Sequence, residues 1–412
     1  MKKNFSMKSA NNAIKIFFEE YSKTSSFYIL AAIVLGFLFG AVLIILTTDA
    51  VYAGFRNSFW EGIQVSFRTM GKTLESIFVG AFGEPKRIIS AFQNGDPQTI
   101  RIAINPFFES LTVSTPYIIT ALALTLAFRS GFLNIGAEGQ VFMGGIAAVW
   151  VGFSTHSLPS IIHVPLTTFS GMLAGALWGA FPGWLKAKTG AHEVITGIMM
   201  NYIAVLFVDY MASGPLRDPA VFTPQTPPIS EHAQFFRFFE PPIRFHIGFF
   251  IAIAMVPIVN FFLFKTIWGF ELRQAGLNPQ GAKNAGMNTT KLTIMSLALS
   301  GALAGLAGAN EIQGISYFMN SLNFTSGYGR NAISLALIGG LQPVGAMIAA
   351  LFFGFFTSAS KFMSLRAGVP HHIIPVMQAT IMFFIATPAL IRTIFRVKKA
   401  SSEETLITKV SI

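Results

Sequence analysis

Three hydrogen-bonding side chains lie close together in the stretch GFLNIGAEGQ at 131–140, between two apolar runs. They are Asn134, Glu138 and Gln140, and glycines lie among them. Inside a membrane such groups are tolerated where they face a cavity or other protein groups, and glycine permits the irregular backbone of a broken helix. The stretch is therefore predicted to break a helix. Its side chains either contact a polar solute directly or satisfy the backbone that frames the solute's path.

We find no motif in the sequence that indicates covalent chemistry. The stretch RTMGKTLES contains, at 71–73, the Gly-Lys-Thr sequence that ends a phosphate-binding loop. However, Ser66 stands where that motif requires its first glycine. The histidines at 192, 371 and 372 lack the spacing to carboxylates that a metal site needs, and the chain contains no cysteine. We therefore expect no catalytic residue, no metal site and no cofactor.

Ion-coupled transport is harder to exclude, because carriers of that class keep ionisable groups inside the bilayer. The acidic candidates are Glu138, Glu193, Asp209 and Glu311. All four lie near the ends of predicted spans, where water reaches, and they do not form an evident relay. A stand-alone facilitator or an ion-coupled carrier nevertheless remains an alternative.

The composition is that of a membrane protein. Of the 412 residues 52% are hydrophobic and 11% are charged, whereas soluble domains have roughly 25% charged residues. The run at 26–46 contains no charge and is longer than the apolar core of a signal peptide. A net charge of +11 would suggest nucleic acid as the partner of a soluble protein, but here the basic residues report topology. We predict an all-α polytopic membrane protein with about ten transmembrane helices, some of them broken or re-entrant.

The predicted spans are 26–46, 111–128, 132–153, 161–185, 193–212, 246–264, 292–310, 330–341, 343–360 and 372–391. Together they form one transmembrane domain, 26–394. Span 330–341 is too short to cross unaided and is predicted to be a half-helix or a re-entrant segment. In the stretch SGALAGLAGANE, the spacing of Gly301, Gly305 and Ala309 predicts a face on which helices pack closely.

Lysine and arginine favour the cytoplasmic side of short loops, and this rule gives the predicted topology. Both ends of the chain, 1–25 and 395–412, are predicted to be cytoplasmic. The loops 47–110 and 213–245 are predicted to be outside, the first with amphipathic pieces at about 58–82 and 98–110. The loop 266–291 is predicted to be inside.

The inner loop reads ELRQAGLNPQGAKNAGMNTTK at 271–291. Asn278 is a good helix N-cap, Pro279 suits the first helical position, and Gly286 can end a helix in the left-handed conformation. A short helix at 279–285 is therefore predicted. It either joins two spans as a capped turn or inserts into a groove on a cytosolic motor protein.

Five motifs carry a resemblance to a known family. They are GFLNIGAEGQ at 131–140, EVITGIMMNYIA at 193–204, LRQAGLNPQGAKNAGMN at 272–288, SGALAGLAGANE at 300–311 and SGYGRNAISLALIGG at 326–340. Together they resemble the permease subunits of bacterial ATP-binding-cassette (ABC) importers of the branched-chain amino acid and simple sugar group, in particular the nucleoside-type permeases. The sequence departs from that pattern at His192, at Arg330 and Asn331, and in the long loop 47–110.

The resemblance implies an importer in the bacterial plasma membrane. It would contain two permease subunits, the second a homologue of this chain. Cytosolic ABC ATPase subunits and an extracytoplasmic substrate-binding lipoprotein would be its other protein partners. It would contact membrane lipid and would not bind nucleic acid. Catalysis of ATP hydrolysis would belong to the ATPases. The residues implied in ATPase docking are Glu271, Gly276, Asn278, Pro279, Ala282 and Gly286.

The candidate substrate pathway is uncharged over most of its length, hydrogen-bonding and partly aromatic. Its residues are Asn134, Glu138, Gln140, Asn201, Tyr202 and Tyr328, and Phe324 offers a further aromatic face. Such a path suits a nucleoside moved by alternating access, since the base stacks and the ribose offers hydroxyl groups. A simple sugar, a flavin-like molecule and a non-transporting scaffold remain alternatives.

Overall fold

The computed structural model describes residues 25–155, 158–320, 324, 327–367 and 373–395. Over these ranges every regular element is a helix, and one isolated bridge pairs Arg237 with His246. The prediction of an all-α polytopic membrane protein is confirmed. Six helices are long and apolar enough to cross a membrane, and the pair 34–47 and 49–57, bent by 67°, passes the same test as one broken span.

The helices of the first half are α1 (Ser25–Thr47), α2 (Asp49–Asn57), α3 (Phe59–Phe82), α4 (Pro85–Asn94), α5 (Pro97–Arg129), α6 (Ala137–Ser154), α7 (Ser160–Thr189) and α8 (Glu193–Ser213). Those of the second half are α9 (Gly248–Lys265), α10 (Ile267–Leu277), α11 (Pro279–Asn284), α12 (Thr289–Glu311), α13 (Tyr328–Ile338), α14 (Pro343–Ala367), α15 (Ile373–Ala386) and α16 (Pro388–Phe395). A π-helical turn, Ile312–Ser316, continues α12.

Most predicted spans correspond to helices of similar bounds, and the differences concern breaks. Helix α13 has 11 residues and so extends about 16 Å, about half the thickness of a bilayer core. It is therefore a half-helix, as its length predicted. The last predicted span is divided at Thr387 into α15 and α16, because Pro388 begins a new helix there. Short and broken helices account for part of the difference between the six helices that pass the test of length and composition and the ten predicted spans. Helix α6 has the required 18 residues but carries Glu138 and Gln140 in its first turn, and it is not among the six.

The amphipathic piece predicted at 98–110 is not a separate element. Helix α5 runs without interruption for 33 residues, and the predicted boundary at 110 lies inside it. The helix begins where Asp96 accepts a hydrogen bond from the Thr99 N–H at 2.9 Å, with Pro97 at the first helical position. The internal prolines, 106 and 116, do not end it, and membrane helices tolerate proline.

Helix α12 lies at the centre of the compact unit Leu74–Arg366 and packs on α7, α6 and α5. Its glycines make the crossing with α7 close: a Cβ on Gly301 or Gly305 would overlap the backbone carbonyls of Gly175 or Gly171, respectively. Ala309 continues the same face. The predicted packing face is thus confirmed, and α7 and α12 approach through their backbones.

The residues outside this unit, 25–73 and 367–395 among those described, form a second compact unit. In it α1 packs on α15, where a Cβ on Gly36 would overlap Ile381. Ala31 and Ala32 of α1 are buried together with Ile391 of α16. This unit is therefore held by small residues of α1 against larger apolar residues that come late in the chain.

Candidate functional site

The chain between α5 and α6 is irregular, as the glycine-rich sequence predicted. Ser130 ends α5 by donating its hydroxyl to the Leu126 carbonyl at 2.8 Å, and Gly131 takes a left-handed φ of 79°. The backbones of Gly131 and Gly276 touch, so that a Cβ on either residue would overlap the other segment. We call residues 130–136 the break. It reaches the loop that was predicted to dock on a motor protein.

Asn134 and Gln140 form a reciprocal amide pair within the break and the start of α6. The Asn134 Nδ2 donates to Gln140 Oε1 at 2.8 Å, and Gln140 Nε2 donates to Asn134 Oδ1 at 3.1 Å. Asn134 also donates to Ser300 Oγ of α12 at 2.8 Å, and Ser300 donates to the Ala123 carbonyl of α5 at 2.7 Å. Both amides are buried. This geometry favours the framing alternative for both residues.

Asn201 of α8 also binds the backbone of this region. Its Oδ1 accepts from the Gly139 N–H at 2.7 Å, and its Nδ2 donates to the Ile135 carbonyl at 2.9 Å. The amide thereby satisfies one carbonyl left free by the break and one N–H in the first turn of α6. The neighbouring Tyr202 is 66% exposed on the outside of α8, so the structure does not bring its ring to the break.

Glu138 lies where two helices begin. It is in the first turn of α6, and its Oε2 accepts from the Arg330 N–H, in the first turn of α13, at 3.0 Å. The backbone N–H groups of Gly327 and Gly329 also face this carboxylate. A Cβ on Gly329 would overlap the backbone of Glu138. Because helix N-termini carry partial positive charge, one carboxylate balances both of them.

A second carboxylate belongs to the same region and was not among the predicted site residues. Glu311, at the end of α12, accepts from Ser316 Oγ at 2.6 Å and from the Tyr328 hydroxyl at 2.8 Å. Tyr328 is thereby held at the start of α13, directly before Gly329. The signal in the sequence was that Glu311 is the one charged residue between 292 and 316. The adjoining π-helical turn and the left-handed Tyr317, with a φ of 62°, are features that often accompany functional sites.

A cavity of about 240 Å³ lies beside Ser316, the hydrogen-bond partner of this carboxylate. It is lined by Arg244, Ile315, Ser316, Phe318, Asn320 and Phe324. It therefore combines apolar and aromatic faces with a small number of hydrogen-bonding groups, which is the usual composition of a small-molecule site.

Residues 214–247, which we call the outer segment, comprise most of the predicted outer loop 213–245 and two residues of the predicted span 246–264 that precede α9. Ion pairs hold this segment on the bundle. Arg244 bonds Glu109 of α5 through two nitrogens, with Nε at 3.2 Å from Oε2, and Arg101 of α5 pairs with Glu240. Burial disfavours the charge on Arg244, but the hydrogen bond and charge of Glu109 outweigh it and raise the pKa of Arg244 above its usual value. The guanidinium beside the cavity therefore remains charged.

His246 ends the outer segment in a buried position. Its ring stacks on Phe235 with 5.6 Å between centroids, and its Nδ1 accepts from the Gly248 N–H at 3.1 Å. Desolvation, and then the charges of Arg237 and Arg244, lower the pKa of His246 to about 3. The imidazole is therefore neutral in the folded protein at neutral and mildly acidic pH.

Acidification is expected to destabilise the folded protein through His246. Below pH 6.5 the unfolded chain binds a proton at this residue that the folded chain does not bind. Stability therefore falls with pH from 6.5 towards 3, by about 1.4 kcal/mol per pH unit, or about 2 kcal/mol between pH 6.5 and 5. Thermal unfolding of purified protein at pH 7.5, 6.0 and 5.0 measures this loss, and His246→Asn should reduce it.

His232→Asn, at an exposed histidine of the same segment, is the control. An equal pH response of the wild type and His246→Asn would contradict this account.

The predicted docking loop has the expected local structure. Asn278 Oδ1 caps α11 by accepting from the Gly281 N–H at 2.9 Å, and Gly286 has a left-handed φ of 83° after the helix. The helix is Pro279–Asn284, one residue shorter than predicted. Ala282 is its one buried residue and packs with Leu272, Ala275 and Leu292, which together anchor the loop.

The remaining docking candidates differ in exposure. Asn278, Pro279 and Gly286 are exposed, whereas Glu271 and Gly276 are half-buried. A Cβ on Gly276 would overlap the Ser130 carbonyl. The loop therefore exposes α11 on the protein surface and places Gly276 against the break.

In the described ranges no three His, Asp or Glu side chains come together in a way that could hold a metal ion. The histidines at 371 and 372 lie outside those ranges.

Residues 107–386 match the family described as branched-chain amino acid transport system permease component. The guanosine ABC transporter permease protein NupP of Bacillus subtilis is 34% identical over 367 residues, which are 88% of this chain and 93% of that protein. The nucleoside ABC transporter permease protein NupB of Lactococcus lactis is 32% identical over 90% of this chain and 93% of its own length. A glucose ABC transporter permease protein of Haloferax volcanii is 31% identical over 68% of this chain and 75% of its own length. No solved structure gives a significant match. With more than half of its length matched, the chain belongs to the family of branched-chain amino acid transport system permease components.

Proposed function

We propose that this chain is the permease subunit of an ABC importer that carries nucleosides by alternating access. The observation that carries the proposal is its similarity to two nucleoside permeases over about nine tenths of both this chain and theirs. The glucose permease is nearly as similar where it aligns, but it aligns with a smaller share of either chain. A sugar importer is therefore the second candidate for the cargo.

The contacts around the break support a path for an uncharged solute. Asn134, Gln140 and Asn201 hold an irregular stretch of backbone between helices, and Glu138 neutralises the two helix starts beside it. The cavity next to Glu311 adds aromatic faces and hydrogen-bonding groups. Direct contact of Glu138 or Tyr328 with the cargo remains part of the proposal, and Tyr202 would have to act from the outer face of α8.

The proposed partners are a second, homologous permease, cytosolic ABC ATPases and an extracytoplasmic binding lipoprotein. Two permease relatives occur in each of two organisms: 34% and 29% identical in B. subtilis, and 32% and 28% identical in L. lactis. This pattern supports a pair of different permeases. The proposed location is the bacterial plasma membrane, with both ends of the chain in the cytoplasm.

Of the docking candidates, Glu271, Asn278, Pro279 and Gly286 are proposed to contact the ATPase, whereas Ala282 and Gly276 would act from within the loop. The docking element itself is helix α11. Its exposed surface is available to a partner, while Ala282 fixes it to α10 and α12. The contact of Gly276 with the break gives a mechanical route from that surface into the bundle. Movement of the docked ATPase would then shift residues 130–136 and bias the permease between outward- and inward-open states.

Gly286→Val tests this function. A β-branched residue at a φ of 83° strains the backbone by about 1–3 kcal/mol, and the surroundings of Gly286 are open, so the strain acts on the end of α11. We expect ATPase bound to the purified permease, and ATP-driven nucleoside uptake into proteoliposomes, to fall about tenfold or more. Gly95→Val is the matched control, because Gly95 also has a left-handed φ, 69°, in open surroundings at the end of a short helix, α4.

Two results would overturn the proposal. Wild-type permease that purifies without any ATPase and moves nucleosides unaided would identify a facilitator. Equal ATPase retention and uptake in Gly286→Val and Gly95→Val would remove α11 from the docking surface.

A further inference from the structure

The cavity beside Glu311 contains a hydroxyl group that can accept a hydrogen bond. Ser316 lines the cavity, and its hydroxyl donates to Glu311 Oε1 at 2.6 Å. A serine hydroxyl has one proton and two acceptor lone pairs. Because the proton is directed to the carboxylate, the Ser316 oxygen is left to accept from a molecule in the cavity.

Glu311 itself is well placed to hold this arrangement. It is 7% exposed, has no ion-pair partner among the described residues, and is fixed on its other oxygen by the Tyr328 hydroxyl at 2.8 Å. In its ionised form, the carboxyl group of Glu311 accepts and does not donate. Glu311 therefore directs the Ser316 proton away from the cavity, so that the Ser316 oxygen is an acceptor there. In this way Glu311 acts as a positioning residue.

Hydrogen-bond donors are supplied by Arg244, which lines the same cavity. Its Nε and one terminal nitrogen bond Glu109, but a guanidinium has five N–H groups, so others remain for the cavity. Arginine is suited to paired acceptors such as the O6 and N7 atoms of guanine. The cavity thus places a donor group and an acceptor group around one small volume.

The remaining lining favours a flat aromatic ligand. Phe318 and Phe324 supply rings, and Phe324 is held edge-on against Phe142 with 5.2 Å between centroids. A volume of about 240 Å³ is smaller than the range of about 300–1,000 Å³ that accommodates a whole drug-sized molecule. It is therefore suited to the base of a nucleoside rather than to the entire nucleoside.

We propose that this cavity is a base-selecting subsite for 6-oxopurine nucleosides, in which Arg244 donates to O6 and N7, Ser316 accepts from N1–H, and Phe324 stacks on the ring. This inference rests on the proposed nucleoside transport and adds the class of base to it. Guanine and hypoxanthine present these acceptors and this donor side by side. Adenine presents an amino donor and an N1 acceptor instead, so it would face Arg244 and Ser316 with mismatched groups.

The test is competition between guanosine, inosine and adenosine for ATP-driven uptake by the assembled complex in proteoliposomes. We expect the wild type to prefer guanosine and inosine to adenosine by about tenfold or more, because an unmatched buried polar group discriminates strongly. Ser316→Ala and Arg244→Lys should each lower that ratio by about two- to tenfold, the effect of one hydrogen bond. Ser170→Ala, at a half-buried serine of α7, and Arg101→Lys, at the other ion pair of the outer segment, should leave the ratio unchanged.

The outcomes separate the inference from the function on which it rests. If Ser316→Ala and Arg244→Lys slow all nucleosides equally and leave the ratio unchanged, the subsite is wrong and nucleoside transport stands. If the wild-type complex, with its ATPase bound, moves no nucleoside, both are wrong. Glu311→Gln adds a readout for the positioning role: a changed ratio with the complex still assembled supports it, whereas a uniform loss of uptake contradicts it.

Discussion

Replacement of Gly305 by leucine is expected to abolish accumulation of folded protein in the membrane. Gly305 lies where α12 crosses α7, and a Cβ there would overlap the Gly171 carbonyl and lie 3.0 Å from the Gly175 Cα. Backbone cannot move aside as a flexible side chain can, so the helices must separate. The loss of this packing should destabilise the protein by more than about 4 kcal/mol, beyond the range of most substitutions. The yield of a monodisperse fluorescent fusion on size exclusion in detergent measures the effect.

Gly71→Leu is the control for this substitution, because a Cβ on Gly71 meets nothing within 4 Å. Gly305→Ala should give an intermediate yield, since even one methyl group meets backbone there. If Gly305→Leu accumulates as well as Gly71→Leu, the close crossing of α7 and α12 is not the basis of the fold.

The second large effect is expected at Gly276, the contact between the docking loop and the break. Gly276→Ala places a methyl group against the Ser130 carbonyl and the backbone of Gly131. One of the two segments must shift, which misplaces the start of α6 and with it Glu138. We expect ATP-driven uptake to fall about tenfold or more while the ATPase stays bound, because the exposed surface of α11 is unchanged. Uptake and ATP hydrolysis measured on the same proteoliposomes give both quantities.

Gly281→Ala separates this effect from a general disturbance of the loop. A Cβ on Gly281 meets only the side chain of Asn278, at 3.0 Å, and no backbone. Because Gly281 lies on the exposed surface of α11, ATPase retention is measured for this variant as well, and uptake with the ATPase bound should be much closer to that of the wild type. If both variants reduce uptake to the same extent, or if Gly276→Ala loses its ATPase, the contact does not transmit movement as proposed.

The elements that the sequence predicted well are those determined by local chemistry. The bounds of α11 follow from Asn278, Pro279 and Gly286, each acting within a few residues of its own position. The packing face of α12 follows from residues repeated every four positions, because that repeat stays on one side of a helix. The break follows from glycines among polar residues in an apolar stretch.

The site could be predicted only in part, because its contacts are distant in the sequence. Asn134 bonds Ser300, 166 residues away, and Arg330 bonds Glu138, 192 residues away. Periodicity does not report such pairs. It also could not distinguish Tyr202, which lies on the exposed side of α8, from Asn201, which faces the break. Glu311 was noticed as a charge in an apolar run, but its role depends on Ser316 and Tyr328, whose positions follow from the π-helical turn and the start of α13.

The carboxylate between the starts of α6 and α13 has a consequence for which molecules the site can hold. The amino-terminal ends of helices commonly bind phosphate groups. Here that place is taken by Glu138, a competitor tethered to the protein and present at an effective concentration on the order of millimolar or higher. A phosphorylated compound at micromolar levels would have to displace this anion and would also be repelled by it. We therefore expect ionised Glu138 to disfavour nucleotides at this point of the proposed pathway, while their unphosphorylated counterparts encounter no such penalty.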